Sequence, residues 1–398
     1  MSEPAPSASD PKKKRQHFVP KFYLRNFSFD GGNRLHLVHV ETLRSIPGIG
    51  LNGQCYGDYF YGKDPVVENA LQDMEGVTAG LFRDIIADQR LPALGTPEDL
   101  IFRTFVCLQW GRTKSHAENS EALFSKAFKT VYAPQWRSAG ISQEEIDQLE
   151  IGTEKPGLFS LGMTADMVPF MGDLESKLIV AGSLGEFVTS DTPVVLTNPY
   201  YLERFPGGVT GLNVRGLAIF FPISPHLLAV LYDGDCYRVG APGKRVVPLA
   251  SRGDLVALNN FQCLNADDAV YFQSEALASS HLAEFAKVIR LRRRDRGVVI
   301  EAPSTQPGDN SSLLHTYQAD IPYRPNFSFL SLLRKRRGDT GDVSQLDERN
   351  PEVAKLFEEY RREVSEGTSK RGFLDYFTAH SFAKAGLPLP SFVRDPRE

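Results

Sequence analysis

The chain has 398 residues, four cysteines and a formal net charge of −4; 41% of its residues are hydrophobic and 24% are charged. This composition is ordinary for a globular protein with a large core, and the acidic balance supplies no overall positive field that would attract nucleic acid. The widely separated cysteines argue against a zinc ribbon or a disulfide framework, and no apolar run reaches the roughly 20 residues of a membrane helix, so we expect a cytoplasmic protein.

The N-terminal segment is rich in serine, proline and alanine and ends in the basic run 12–15. Such a composition buries too little apolar surface to fold, so residues 1–15 are predicted to be a disordered basic tail. The composition shifts again late in the chain, toward proline, serine, aspartate and glycine. We therefore divide the chain into this tail, a single core domain over 16–300 and a C-terminal helical extension over 301–398.

The core domain opens with a dense aromatic segment over 16–27. Pro20 suits the first turn of a short helix, because its missing N–H would have no partner there. His17 stands three residues earlier, where the positive end of the helix dipole disfavours a protonated imidazole. We take this neutral histidine as a candidate catalytic group and metal ligand, and Tyr23, on the same helix, as a candidate substrate contact.

A long helix is predicted from Asp64 and Pro65, an N-cap followed by a proline at the first position, to about Ala87. Glu68 and Glu75 are seven residues apart on it and therefore lie within about 20° of each other at the edge of the apolar face. Two such carboxylates would bind a metal or serve as acid and base. The alternative is that they pair with arginine or lysine side chains of a neighbouring element.

A second helix is predicted over 97–132, and its buried face turns polar halfway along, at Gln109, Arg112, Thr113 and His116. Burying an unpaired polar group costs roughly 1–3 kcal/mol, so this face lines a cavity or meets partners that satisfy it. Gln109, Arg112 and His116 are therefore candidate substrate contacts. The alternative for Arg112 is a structural ion pair with one of the two glutamates.

Two strands are predicted over 177–181 and 186–189, joined by a glycine-containing turn, and the second ends at Ser190 and Asp191. A polar pair at a strand end presents a carboxylate, which makes Asp191 a candidate general base and metal ligand and Ser190 a candidate substrate contact. Such a pair more often simply makes a turn, because both side chains bond to backbone N–H groups.

Further apolar strands at 216–222 and 226–232, a helix at 251–264 and a strand at 270–272 indicate an antiparallel sheet in the second half. The predicted fold class is α+β. A mainly helical N-terminal half packs on this sheet, and a C-terminal helical extension follows.

Several motifs resemble those of a bacterial family of proteins of unknown function, DUF family 4238. In chain order they are HFVPKFYLRNF at 17–27, Glu68 and Glu75, QWGRT at 109–113, FVTSDTP at 187–193 and FPISP at 221–225. The resemblance spans about residues 14–290, with one departure: Lys177 and Leu178 stand where a tryptophan is expected. The family implies a domain extent but no established activity.

The first functional hypothesis is a metal-dependent hydrolase that cleaves phosphodiesters, as a nuclease does. Its biological role would lie in bacterial stress or antiphage defence. Gln109 and Arg112 would hold the phosphate. Imidazole and carboxylate ligands suit Mg²⁺ or Mn²⁺. The predicted ligands are His17, Glu68, Glu75 and Asp191, and three of them, His17, Glu75 and Asp191, would also carry the catalysis.

Nucleic acid would be contacted through the basic runs 12–15, 290–296 and 334–337. The alternative is a non-catalytic ligand-binding, sensor or protein-interaction module, in which the polar stripe is a ligand pocket or a satisfied core network. In a purely structural variant His17 bonds to Asp191 or a glutamate and anchors the opening helix. The two classes differ in whether His17, Glu75, Arg112 and Asp191 converge on one accessible cavity.

Overall fold

The computed structural model describes residues 14–202, 207–293, 297–303, 312–333, 346–369 and 372–384, with the backbone alone at 302–303 and 312–315. Several of its helices begin at a capping residue; Asp64, for example, accepts a hydrogen bond of 3.0 Å from the Val66 N–H. The α-helices of the described chain are α1 Lys21–Arg25, α2 Pro65–Asp88, α3 Pro97–Gly111, α4 Lys114–Ser138, α5 Gln143–Gln148, α6 Pro156–Ala165, α7 Arg252–Asn265, α8 Ala278–Val288, α9 Pro351–Ser365 and α10 Phe373–Lys384.

The strands form two larger sheets and three two-stranded pairs. They are β1 Arg15–His17, β2 Arg34–His39, β3 Arg44–Gly50, β4 Tyr56–Asp58, β5 Glu175–Val180, β6 Thr189–Ser190, β7 Val195–Thr197, β8 Ala218–Ser224, β9 Leu227–Tyr232, β10 Tyr237–Val239, β11 Val246–Pro248, β12 Ala269–Phe272, β13 Gly297–Pro303, β14 Ser312–Gln318 and β15 Leu330–Leu332. The five-stranded sheet has the order β11-β5-β9-β8-β7, antiparallel except for the parallel pair β11–β5. The predicted α+β class and the antiparallel sheet in the second half are confirmed.

The five-stranded sheet is buried on both faces. Successive residues of a strand point to opposite faces, so neighbouring residues of β8 contact different helices. On β8, Phe221 faces the N-terminal helices and lies 6.1 Å from the ring of Phe82 on α2. Its neighbour Phe220 faces α7 and lies 6.0 Å from the ring of Phe261. Burying each ring stabilises the fold by roughly 1.5–3 kcal/mol, so the sheet joins two hydrophobic cores rather than covering one.

A second sheet, β3-β2-β12-β6, is antiparallel throughout and joins strands from both halves of the chain. The opening helix α1 packs against the first sheet, since the ring of Tyr23 stacks on that of Phe221 at 5.1 Å. None of the described helices combines the length and the hydropathy that crossing a membrane requires.

The predicted single helix over 97–132 is wrong. The chain forms α3 and α4 instead, with Arg112 at φ −90° and ψ 2° and Thr113 extended at φ −75° and ψ 155°. The Thr113 hydroxyl accepts a hydrogen bond of 3.3 Å from the His116 N–H, so this threonine is an N-cap that starts a new helix.

The predicted hairpin at 177–181 and 186–189 is also wrong. The first strand, β5, lies in the five-stranded sheet, whereas β6 pairs with β12 of the other sheet, with Thr189 opposite Tyr271. The intervening backbone is satisfied elsewhere: the Phe187 N–H donates to the Pro225 carbonyl at 2.7 Å. The chain therefore crosses between sheets where local sequence indicated a turn.

The predicted C-terminal helices are present as α9 and α10, and they pack on the core. Phe373 on α10 lies 6.1 Å from the ring of Phe170, and Phe357 on α9 lies 5.7 Å from the same ring. The chain before them also contributes strands, because β13 pairs with β14 and β15 pairs with β10.

Candidate functional site

His17 is held by a strand, not by the helix that follows it. It is the last residue of β1 and pairs with Tyr56 of β4. Beside it the Gln16 amide accepts a hydrogen bond from the Tyr61 N–H at 2.6 Å and donates to the Gly62 carbonyl at 2.9 Å. These contacts fix the strand pair to the start of α2, so the imidazole has a defined position.

Burial and nearby positive charges, more than the helix dipole, favour the neutral state expected for His17. Burial lowers the pKa of His17 to about 4, and the positive charges of Lys21, Arg112 and Arg15 lower it further in the same direction. The imidazole is therefore uncharged at neutral pH. Its Nε2 atom is buried and has no hydrogen-bond partner among the described residues.

Arg112 is fully buried, with 0% of its surface exposed, at the junction of α3 and α4. Its Nη1 donates to Glu75 Oε1 at 2.9 Å and its Nε donates to Gln109 Oε1 at 2.8 Å. The Gln109 Nε2 in turn donates to the Phe18 carbonyl at 3.1 Å. We call these three side chains, Glu75, Gln109 and Arg112, the Arg112 network; the Nη2 atom of Arg112 has no hydrogen-bond partner among the described residues.

The two glutamates on α2 have different environments despite sharing one stripe. Glu75 forms the ion pair with Arg112, and its side chain is 24% exposed. Glu68 accepts a hydrogen bond of 3.1 Å from Gln72 on its own helix. The structural alternative for Arg112, a pair with one of these glutamates, is the arrangement found, with Glu75 as the partner.

The Ser190 and Asp191 pair forms a turn whose side chains are engaged. Asp191 accepts backbone hydrogen bonds of 2.8, 2.6 and 3.0 Å from Asp267, Asp268 and Ala269. Burial raises the pKa of Asp191 to about 7, and the nearby Asp267 carboxylate adds to the rise, against the lowering effect of the three N–H donors.

The two hydroxyls proposed as substrate contacts also bond within the protein. Ser190 donates to Gln262 Oε1 at 2.9 Å. The Tyr23 hydroxyl donates to the Pro222 carbonyl at 2.8 Å and lies 2.7 Å from the Thr189 hydroxyl. Tyr23 thus links α1 to both larger sheets.

The structure joins three of the sequence-predicted residues by hydrogen bonds. Glu75, Gln109 and Arg112 meet at the α3–α4 junction, and His17 is within electrostatic reach of Arg112. Asp191 is bonded to the backbone at 267–269. In the part of the chain that the structure describes, no three histidine, cysteine, aspartate or glutamate side chains are grouped so that they could hold a metal ion. The catalytic and metal-binding roles assigned from sequence stay predictions.

His116 lies outside the Arg112 network and lines a cavity instead. Its Nδ1 atom is 2.8 Å from the Ser160 hydroxyl on α6, and its ring meets that of Trp110 edge-on at 4.4 Å. The cavity has a volume of about 400 Å³ and lies between α3, α4, α6, β7, β14 and the residues that follow β14. We call it the Trp110 cavity; its lining includes Trp110, His116, Leu123, Met163, Leu196 and Asp320.

Sequence reasoning found one residue of this lining, His116, and missed the others. Met163 and Asp320 lie about 50 and 200 residues beyond His116 in the chain, where no motif marks them. The polar stripe on the 97–132 segment was the only signal, because it indicated a cavity beside His116.

The predicted nucleic-acid contacts fall only partly within the described chain. Residues 12–13, 294–296 and 334–337 lie outside it. Lys14 pairs with Asp58 at 3.1 Å, and Arg292 donates to the carbonyls of Ala266 and Asp267. Contact with nucleic acid stays a prediction.

Comparison with known proteins gives one match. A family model described as "Protein of unknown function (DUF4238)" matches residues 15–276. Neither the curated proteins nor the solved structures that were searched contain a match to the chain.

Proposed function

The chain belongs to the DUF4238 family of proteins of unknown function, and from this premise we propose that it is a non-catalytic ligand-binding protein. The Trp110 cavity carries the proposal, because a volume of about 400 Å³ is within the range of small-molecule sites and its surface is mainly apolar with a few polar groups. Cavities of that character are the usual place for a ligand in a globular protein.

The Arg112 network supports this assignment by acting as a structural element next to the cavity. Gln109 and Arg112 flank Trp110 on the last turn of α3, and their hydrogen bonds attach that turn to Phe18 and to α2. A buried guanidinium paired to a carboxylate and an amide fixes one geometry. The network therefore holds Trp110 against the cavity.

A binding experiment tests the proposal, because the chain has only two tryptophans, Trp110 and Trp136. In a Trp136→Phe variant all tryptophan emission comes from Trp110. We expect the neutral fluorophore N-phenyl-1-naphthylamine to quench this emission saturably at micromolar concentration, by energy transfer within the cavity. Trp136 packs on Phe128 and Tyr132, so phenylalanine retains an aromatic contact there.

Blocking the cavity supplies the control. Ser120→Phe places a ring in the lining from α4 and should weaken probe binding at least tenfold, while Ser138→Phe, at the exposed end of the same helix, should leave it unchanged. Saturable binding that is equal in both variants would place the probe elsewhere, and no binding at all would overturn the proposal.

The second candidate is the metal-dependent hydrolase that acts on phosphodiesters. One observation favours it: the neutral imidazole of His17 lies within electrostatic reach of Arg112, and the Nε2 and Nη2 atoms are both buried and unpartnered among the described residues. A neutral imidazole would accept a proton from water, and a guanidinium would hold a phosphate oxygen.

The hydrolase proposal predicts cleavage of labelled DNA or RNA in the presence of Mg²⁺ or Mn²⁺, reduced at least a hundredfold by His17→Ala. His39→Ala, on β2 of the four-stranded sheet, is the matched control and should retain the activity. Equal cleavage by both variants would show that His17 takes no part in the reaction. If no substrate is cleaved, the hydrolase proposal is wrong and the ligand-binding function is the one that remains.

A further inference from the structure

A second concave site lies at one end of the five-stranded sheet, and its described lining shares no residue with the Trp110 cavity. It has a volume of about 390 Å³ and is formed by the start of β5, the end of β9, strand β10 and the turn before β11. Four of the described residues that line it are cationic and one is a carboxylate. We call it the Arg238 pocket; its lining includes Glu175, Lys177, Tyr232, Arg238, Lys244 and Arg245.

Two of the four cations are held in place by backbone carbonyls. The Lys177 Nζ donates to the Val239 carbonyl at 2.6 Å and to the Ala241 carbonyl at 3.2 Å. The Arg245 Nη2 donates to the Leu91 carbonyl at 3.0 Å. A carbonyl group orients a cation but carries no net charge, so these hydrogen bonds fix the positive charges without neutralising them.

The other two cations, Arg238 and Lys244, are exposed, and neither side chain has a hydrogen bond or an ion pair with another described residue. Burial lowers the pKa of the Lys177 ammonium, the Glu175 carboxylate raises it, and the positive charge of Arg238 lowers it. Arg238 and Lys177 are therefore close enough to repel each other. An anion placed between them would relieve that repulsion.

The carboxylate in the lining does not balance these charges. The Tyr232 hydroxyl donates to Glu175 Oε2 at 2.6 Å, which holds this carboxylate against the end of β9. Asp233 and Asp235, the next carboxylates along the chain, are not part of the lining. With four cations and one carboxylate, the described lining carries a formal charge of +3.

The shape and the lining of the pocket favour a compact anion with several charges. A concave site lined by charges of one sign concentrates the electric field more than a flat surface does. Arginine and lysine side chains bind phosphate oxygens through charge-assisted hydrogen bonds. The two aromatic residues of the described lining, Tyr232 and Tyr237, are only 1% and 2% exposed, so they offer no ring face on which a nucleobase could stack.

We propose that the Arg238 pocket binds compact polyphosphate anions, either free or as the polyphosphate group of a nucleotide. Arg238 and Lys244 would bind the terminal phosphates at the rim, and Lys177 would bind from the strand below. The site is separate from the Trp110 cavity, and the inference does not depend on the ligand-binding function proposed for that cavity.

Isothermal titration calorimetry of the full-length protein with inorganic tripolyphosphate tests the proposal. We expect saturable binding, at least tenfold tighter than that of orthophosphate and weakened by added salt, which screens exposed charges. ATP should bind within threefold of tripolyphosphate and adenosine should not bind, because the phosphates alone are recognised. An absence of saturable tripolyphosphate binding would overturn the inference. A single-stranded oligonucleotide that binds tenfold more tightly than tripolyphosphate would also overturn it, since the surface would then be a nucleic-acid interface.

A pair of double variants assigns the binding to the pocket. Arg238→Gln with Lys244→Gln removes two exposed cations and should weaken tripolyphosphate binding at least tenfold. Arg44→Gln with Lys355→Gln is the matched control: it removes the same two charges at exposed positions on β3 and α9, outside the pocket, and should change binding less than twofold. If the two double variants weaken binding equally, the effect comes from overall charge and the inference fails.

A third variant should act in the opposite direction. Glu175→Gln removes the carboxylate of the lining but retains an oxygen that accepts the hydrogen bond from the Tyr232 hydroxyl. We expect it to strengthen tripolyphosphate binding at least threefold, because a repulsive charge is lost. A Glu175→Gln variant that binds more weakly than the unmodified protein would show that the charge of the pocket does not control binding, and the inference would be wrong.

Discussion

Replacing Glu75 with leucine should lower the free energy of unfolding by about 3–5 kcal/mol, the usual cost of removing one partner of a buried ion pair. The physical reason is the asymmetry of the pair. Arg112 is fully buried, so without Glu75 its guanidinium would lose its ion pair and could not be hydrated instead. Glu75 is partly exposed, so Arg112→Met, which leaves the carboxylate close to solvent, should cost less.

The double variant Glu75→Leu with Arg112→Met should recover much of the loss, because replacing both charges with apolar groups removes the desolvation penalty. Chemical denaturation monitored by far-UV circular dichroism gives the free energy of unfolding of the unmodified protein, the two single variants and the double variant. Glu68→Leu, seven residues earlier on α2, is the matched control and should change stability by less than about 1 kcal/mol. Equal losses for Glu68→Leu and Glu75→Leu would show that the Arg112 network does not stabilise the fold.

Gly111→Ala should destabilise the protein by about 3 kcal/mol, because α3 and α6 approach too closely for a methyl group. A Cβ atom at Gly111 would lie 1.8 Å from the Thr164 hydroxyl oxygen and 2.4 Å from the Thr164 Cβ. Thr164 is buried, and the Ser160 hydroxyl already donates to the Gly111 carbonyl at 2.5 Å. The two helices would therefore have to separate.

Gly76→Ala provides a control of opposite sign. Gly76 lies within α2, and a Cβ there has no heavy atom within 4 Å. Alanine should stabilise this exposed helical position by about 0.5–1 kcal/mol, since it loses less backbone entropy on folding. Thermal unfolding distinguishes the two. If Gly111→Ala were neutral or stabilising as well, the close contact between α3 and α6 would not exist.

The Gly111 variant should also weaken probe binding, because Thr164 and Met163 form one wall of the Trp110 cavity.

Local features of the sequence predicted the elements that depend on adjacent residues. The Asp64 cap and Pro65 located the start of α2, and the apolar spacing gave its length, since the observed helix runs over Pro65–Asp88. The strands β8 and β9 and helix α7 were located in the same way. Caps and periodicity work here because their hydrogen bonds and apolar contacts span four residues or fewer.

The same reasoning failed where a distant partner decides the conformation. Thr113 fitted the polar stripe of a continuous helix, yet it is the cap at which α4 begins, and the Gly111 and Arg112 carbonyls before it accept hydrogen bonds from Ser160 and Tyr61. Thr189 followed a plausible turn, yet it pairs with Tyr271 about 80 residues away. In both cases the sequence permits two local structures of similar free energy, and contacts from other segments select one of them.

By itself, then, the sequence determined the α+β class and the family, and it named the candidates from which the Arg112 network is drawn, including a buried arginine that required a carboxylate. Only the tertiary structure chose Glu75 over Glu68, because both lie on one stripe and the distance to Arg112 depends on how α2 packs on α3. It also bonded Asp191 to the backbone at 267–269 and created the Trp110 cavity, whose walls come from α3, α4, α6, β7, β14 and the residues after β14. A cavity is bounded by surfaces of segments far apart in the chain, and no local pattern of residues encodes the distance between them.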